Sequence, residues 1–304
     1  MSILSVDLNG FILKNPILTA SGTYGYCDEY NEFLNVENLG AVITKAISLK
    51  PRSGNQNTRI TETEAGMINS IGLENIGIER FLKEKLPVLK AKNIDFIMNV
   101  AGSEIEEYCS VVKECEKNGI KAIELNVSCP NVKKGCLEFG TNSSALYELV
   151  SNVRKNYNGF IVVKLTPNVT SIEELGIAAE KAGANAISAI NTLKGTKIRT
   201  ELRNGKFEKT IIQGGYSGVG IKPVAINAVL RLTKAVNIPV IGIGGIETLQ
   251  DVLEFFAAGA EAVEIGTANF THPDIAEKLI TELEEYIKTN NFKDLDDLKK
   301  ELRI

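Results

Sequence analysis

Short apolar runs rich in β-branched residues recur along the chain, and between them the apolar positions fall at helical spacing. The runs predict strands at Ile17–Ser21, Ala41–Lys45, Phe96–Val100, Ala122–Val127, Phe160–Leu165, Ala186–Ile190, Pro239–Ile243 and Ala262–Gly266. The helical spacing predicts helices at Glu104–Lys117, Ser144–Tyr157, Ser171–Ala182, Pro223–Ala235 and Thr248–Ala258. Strands that are apolar on both faces and alternate with helices predict an α/β fold, a closed (β/α)8 TIM barrel. Asn9-Gly10 between two short β-like runs predicts a hairpin ahead of it. The tail from Asp274 is charged and helix-patterned, with no chemistry assigned to it. The whole chain, 1–304, is read as one domain.

A doubly wound open sheet is the competing fold, and it would carry a G-x-G-x-x-G turn after its first strand. No such turn follows Ile17–Ser21. The barrel instead requires polar residues and glycines at the C-terminal end of most strands, because that face carries the site. They are present: Ser21 and Gly22, Lys45, Asn99, Asn126, Lys164, Asn191 and Thr192, Gly244 and Gly245, Gly266 and Thr267. One such residue is usually structural, but their recurrence strand after strand points to a site. Three long connections leave the same face, roughly Ala46–Glu74, Ser128–Asn142 and Leu193–Ile221, and are expected to be lids or binding loops.

Composition narrows the chemistry. A formal net charge of −4 gives no reason to expect nucleic acid or an anionic membrane as partner. The opening MSILSVDLNGF has no basic or apolar leader character, and no apolar run nears the roughly 18 residues of a membrane span, so a cytoplasmic location is expected. Five cysteines without CxxC spacing suggest neither a disulfide framework nor a zinc site. His272 is the single histidine, so no His-rich metal site is expected and acid–base work falls to Cys, Lys, Asp, Glu or Tyr.

Two segments concentrate the signal. Ile241-Gly-Ile-Gly-Gly-Ile246 and Glu264-Ile-Gly-Thr-Ala268 follow strands seven and eight, where barrels commonly bind phosphate with backbone N–H groups. Tight strand-to-helix turns would explain the glycines alone, but not their place at that corner. Glu124-Leu-Asn-Val-Ser-Cys-Pro-Asn131 puts Cys129 after the fourth strand on the same face. A free thiol is more often a small buried hydrophobe, the reading given to Cys27, Cys109 and Cys115. For Cys129 a catalytic thiol, activated by Lys45 or Lys164, stands equally beside that reading. Inward lysines need anionic partners. Reduced flavins place negative charge near N1, and a carboxylate substrate would suit the other lysine.

At these residues the chain resembles class 1 dihydroorotate dehydrogenases, over essentially its whole length. The motifs are Thr19-Ala-Ser-Gly-Thr-Tyr-Gly25, Thr44-Lys45 with Leu49-Lys-Pro-Arg-Ser-Gly-Asn55, Asn69-Ser-Ile-Gly-Leu-Glu-Asn75, the Cys129 segment, Val163-Lys-Leu-Thr-Pro167, Asn191-Thr192, Gly214-Gly-Tyr-Ser-Gly218 and the glycine pair at strands seven and eight. The resemblance implies that Cys129 is the base removing the C5 proton of dihydroorotate while the C6 hydride passes to FMN. It implies substrate contacts at Lys45, Asn69, Ser70, Ile71, Gly72, Leu73, Asn126, Asn191 and Thr192. It implies FMN contacts at Ser21, Lys45, Ala46, Asn99, Asn126, Lys164, Ile190, Gly218, Gly244, Gly245, Gly266 and Thr267. The opening segment and SCPNVKKG are closer to the type that passes electrons to NAD through an iron–sulfur flavoprotein subunit carrying FAD and a [2Fe–2S] cluster, in a heterotetramer of two catalytic and two partner chains. Gly135-Cys136 departs from that pattern, where two glycines are expected, and Cys136 is read as structural. The alternatives are a fumarate-linked homodimer, a dihydropyrimidine dehydrogenase-like flavin domain, and a non-catalytic FMN-binding barrel.

Overall fold

The computed structural model describes residues 2–27, 29, 35–128, 130, 131 and 137–304, and the side chains of these except 130, 131, 137 and 138. Eight parallel strands close into a barrel in chain order. They are β1 (Ile17–Thr19), β2 (Ala41–Ile43), β3 (Phe96–Val100), β4 (Ala122–Asn126), β5 (Phe160–Leu165), β6 (Ala186–Ala189), β7 (Val240–Ile243) and β8 (Ala262–Ile265). The ring closes where Val263 of β8 pairs with Ile17 of β1. Each matches a strand expected from the sequence, to within two residues at the ends. Helices Ile105–Lys117, Ser143–Arg154, Ile172–Lys181, Lys222–Ala235 and Leu249–Ala257 stand where helical spacing placed them. The tail folds into Ile275–Thr289 and Leu295–Leu302. Among the described residues no helix is long and apolar enough to cross a membrane.

The helix after β7 shows why the sequence folds this way. Thr248 caps it: its Oγ1 accepts from the Asp251 N–H at 3.3 Å, and the Asp251 carboxylate accepts from the Thr248 N–H at 2.8 Å. Val252, Leu253, Phe255 and Phe256 form its buried face. Gly259, at φ +97°, follows the helix, a conformation that glycine adopts without strain. The Phe255 ring packs on Gly242 of β7, where even a Cβ would lie 2.3 Å from Phe255 Cδ1. Burying one such ring contributes about 2–3 kcal/mol. The expected N-terminal hairpin is also present, Val6–Leu8 with Phe11–Leu13, and Asn9 and Gly10 both at positive φ fit the turn between them.

The connections need correction. Leu193–Ile221, expected to be a loop, is chiefly a long antiparallel hairpin, Leu193–Arg203 with Lys206–Ser217. It joins Gly66–Asn69 and Ile60–Thr63, from the connection after β2, in a four-stranded sheet at the barrel mouth. Residues 77–91 add a helical segment that the sequence reading left out. On one hairpin face Ile198 pairs with Ile211 and Leu202 with Phe207, all four more than half exposed.

Candidate active site

The strand ends, the hairpin root and the segment 67–74 enclose a cavity of about 780 Å³. That is ample for a nucleotide-sized ligand together with a small substrate. Its walls include Ser21, Lys45, Ala46, Asn69, Ser70, Ile71, Gly72, Leu73, Asn126, Lys164, Ile190, Asn191, Thr192, Gly218, Gly244, Gly245, Gly266 and Thr267. Every described residue that the resemblance assigns to substrate or FMN therefore meets here, with one exception. Asn99 is buried behind the wall, where its Nδ2 donates to Glu124 Oε1 at 2.6 Å. Cys129 and Cys136 lie outside the described residues. The neighbouring Ser128 does line the cavity, and Asn191 Nδ2 donates to its Oγ at 3.0 Å. Cys27 and Cys115 are fully buried, as their structural reading required, while Cys109 is half-buried.

Lysines stand at two points of the wall. Lys45, two residues beyond β2, lies 3.3 Å from Glu74 Oε2, which Arg59 also holds at 2.8 Å. The Arg59 hydrogen bond foremost, then that from Lys45, keeps the Glu74 carboxyl below the usual carboxylate range. Lys164, on β5, is 6 % exposed and reaches Glu264 Oε2 at 3.2 Å and Glu124 Oε1 at 3.6 Å. Burial alone would lower its pKa, but the two carboxylates outweigh burial and raise it. The sequence reading left open a ligand as the anion paired with each lysine; protein carboxylates already fill that role. Glu124, Glu264, Glu74 and Arg52 stand inside the quoted motifs but received no role from the sequence, and Arg59 was not singled out. Glu124 and Glu264 had a signal, an acid inside an otherwise apolar barrel strand. Arg52, which lines the cavity and pairs with Glu107 at 3.1 Å, sits in the Leu49–Asn55 motif of a long connection, where no periodicity shows which way its side chain faces.

At the far end Gly244 and Gly245 have φ of +130° and +72°, so the turn itself requires them. Gly266 differs. A Cβ built there would meet only Ala20 Cβ, at 3.7 Å, so packing leaves it free. Space is thus left open beside the short helix Thr267–Phe270, where Thr267 Oγ1 donates to Ser217 Oγ at 2.8 Å. Backbone amides, hydroxyls and open space at one end, with a buried cation and amide side chains at the other, suit a phosphate-bearing, ring-carrying cofactor such as FMN. No group of acidic, Cys or His side chains able to hold a metal occurs among the described residues.

A parallel barrel with such a cavity at the C-terminal ends of its strands is a barrel enzyme with its site on the face where these folds work. The family profile of dihydroorotate dehydrogenase matches residues 3–287, and the chain belongs to that family, one of flavin-dependent dehydrogenases. It is 46% identical over 296 residues, 97% of this chain and 96% of the relative, to a Geotalea uraniireducens protein named dihydroorotate dehydrogenase B (NAD(+)), catalytic subunit. Relatives of the same name from a Thermoanaerobacter species (42% over 301 residues, 99% of each chain) and Geobacter metallireducens (45% over 302 residues, 99% and 98%) agree.

Proposed function

We propose that this chain is the catalytic subunit of an NAD-linked dihydroorotate dehydrogenase, oxidising dihydroorotate to orotate in pyrimidine biosynthesis. The observation that carries the reading is the meeting of Lys45, Asn69, Asn126, Lys164, Asn191 and Thr192 in one cavity, with Ser128, which precedes Cys129 in the sequence, in its wall. Bound FMN supplies the hydride acceptor. Lys45, Asn69 to Leu73, Asn126, Asn191 and Thr192 orient the substrate through amide, hydroxyl and ammonium donors. Ser21, Ala46, Ile190, Gly218, Gly244, Gly245, Gly266 and Thr267, with Lys45, Asn126 and Lys164, hold the cofactor. Asn99 acts from behind, through Glu124. Cys129 takes the C5 proton. A free thiol has a pKa near about 8.5, so a neighbouring cation that favours the thiolate makes it a usable base near neutrality.

Electrons leave to a partner. The five cysteines give no iron–sulfur motif, and the sequence carries no dinucleotide fingerprint after its first strand. The partner reading is a subunit with FAD and a [2Fe–2S] cluster, two of each chain in the assembly, and it is supported by relatives named as catalytic subunits. The chain alone should fail to reduce NAD with dihydroorotate, and co-expression with such a subunit should restore NAD reduction. Rapid turnover of the lone chain with fumarate, with no gain in NAD reduction from the partner, would favour the homodimeric type instead.

A further inference from the structure

Glu124, Lys164 and Glu264 meet inside the barrel, with relative exposures of 0 %, 6 % and 0 %. Glu124 is fully supplied with donors. Asn99 Nδ2 reaches its Oε1 at 2.6 Å, Ser188 Oγ its Oε2 at 2.7 Å, and the Lys164 ammonium lies 3.6 Å away. Glu264 is not. Lys164 serves its Oε2 at 3.2 Å, while its Oε1 is buried with no partner. With both carboxyls ionised, two negative charges would face one positive charge where water is excluded. A surplus buried charge of that kind is strongly unfavourable, and one bound proton removes it.

The geometry decides which carboxyl takes the proton. Two hydrogen-bond donors and the Lys164 ammonium already serve Glu124, which suits the acceptor-only ionised form. A proton on the orphaned Oε1 of Glu264 turns an unsatisfied buried acceptor into a donor, and a side-chain hydrogen bond with Glu124 is among the causes that raise this carboxyl. Burial foremost, then the Glu124 charge, raises the Glu264 carboxyl well above its ordinary range, and Lys164 offsets only part of this. These two are the charged groups acting on it.

We propose that Glu264 is a neutral carboxylic acid in the working protein and, with Glu124, a positioning residue that holds the Lys164 ammonium at the cavity floor with zero net charge in the cluster. A neutral cluster tolerates negative charge developing above Lys164, whereas an ionised Glu264 would oppose it. This role rests on the proposed flavin site; the protonation state does not.

Infrared spectroscopy at neutral pH tests the protonation state. The wild-type chain, with or without flavin, should show the carbonyl stretch of a protonated carboxyl, shifted in D2O and absent from Glu264→Gln. Asp251 is buried and Glu261 half-buried, but their neighbouring cations hold both carboxyls below the usual range, so they contribute no such band. The second readout is the ratio of affinities for reduced and oxidised FMN. Glu264→Gln exchanges neutral for neutral and should leave this ratio within about twofold. The double variant Glu124→Gln/Glu264→Gln leaves Lys164 uncompensated and should raise it tenfold or more, about 30 mV for a two-electron couple. Absence of the band in the wild type, or a tenfold change with Glu264→Gln alone, would overturn the proposal. A wild type that shows the band but binds no FMN would instead sink the flavin reading.

Discussion

Lys164 reaches Glu264 at 3.2 Å across the barrel interior, although β5 and β8 are not neighbours in the sheet. The contact spans the barrel and fixes the ammonium from the side opposite its own strand. Replacing Lys164 by Ala removes the cation from the wall and leaves two carboxyls without it. Purified Lys164→Ala should hold FMN at least tenfold more weakly than the wild type, measured by fluorescence titration. Unchanged affinity and unchanged flavin reduction would remove Lys164 from the site.

The raised pKa of Glu264 has a consequence for stability. The native state keeps a proton that the unfolded chain releases above the ordinary carboxylate range, so the contribution of Glu264 to native stability is greatest at low pH and falls as pH rises towards the folded value. The fall is at most about 1.4 kcal/mol per pH unit for one group. Urea unfolding from pH 5 to 8 should show the wild type losing stability relative to Glu264→Gln. Parallel curves would show that Glu264 titrates normally.

Glu74 occupies Lys45 before any anionic substrate arrives. Glu74→Gln removes the competing charge and should tighten orotate binding roughly three- to tenfold, most clearly at neutral pH where Glu74 is ionised. Isothermal titration of the wild type and variant checks this. Weaker binding in the variant would mean that Glu74 orients Lys45 and does not compete for it.

Phe255→Ala should cost about 3–5 kcal/mol, because the ring is fully buried against Gly242 and its removal leaves a cavity in the core. The urea midpoint reports it. A loss below about 1 kcal/mol would show that this corner repacks readily.

The barrel was legible because its strands are apolar on both faces, a pattern that few other elements share. The site was legible where polar residues interrupt that pattern at strand ends, as at Lys45, Asn126 and Lys164. The mouth sheet was written in the sequence but not read from it. Thr196, Ile198, Thr200 and Leu202 alternate with Lys197, Arg199, Glu201 and Arg203, and Asn204-Gly205 is a hairpin turn with both residues at positive φ. Its half-polar strands resemble a solvated loop unless the two-residue period is tested. The Glu124–Lys164–Glu264 cluster was illegible for another reason. Glu124 and Lys164 lie on neighbouring strands, but Glu264 joins them from β8, across the barrel, so each acid shows in the sequence only as an exception within an apolar run and nothing local links the three.

The most direct test of the proposed reaction is anaerobic stopped-flow mixing of the flavin-loaded chain with dihydroorotate. The flavin absorbance of the wild type should bleach in a single fast phase. Cys129→Ala should bleach about 10²–10⁴-fold more slowly while still binding orotate, the usual worth of a positioned base. Cys129→Ser should regain rate as pH rises, and Cys136→Gly should match the wild type. A wild-type flavin that dihydroorotate leaves oxidised, or bleaching that survives in Cys129→Ala and is lost in Cys136→Gly, would contradict the account.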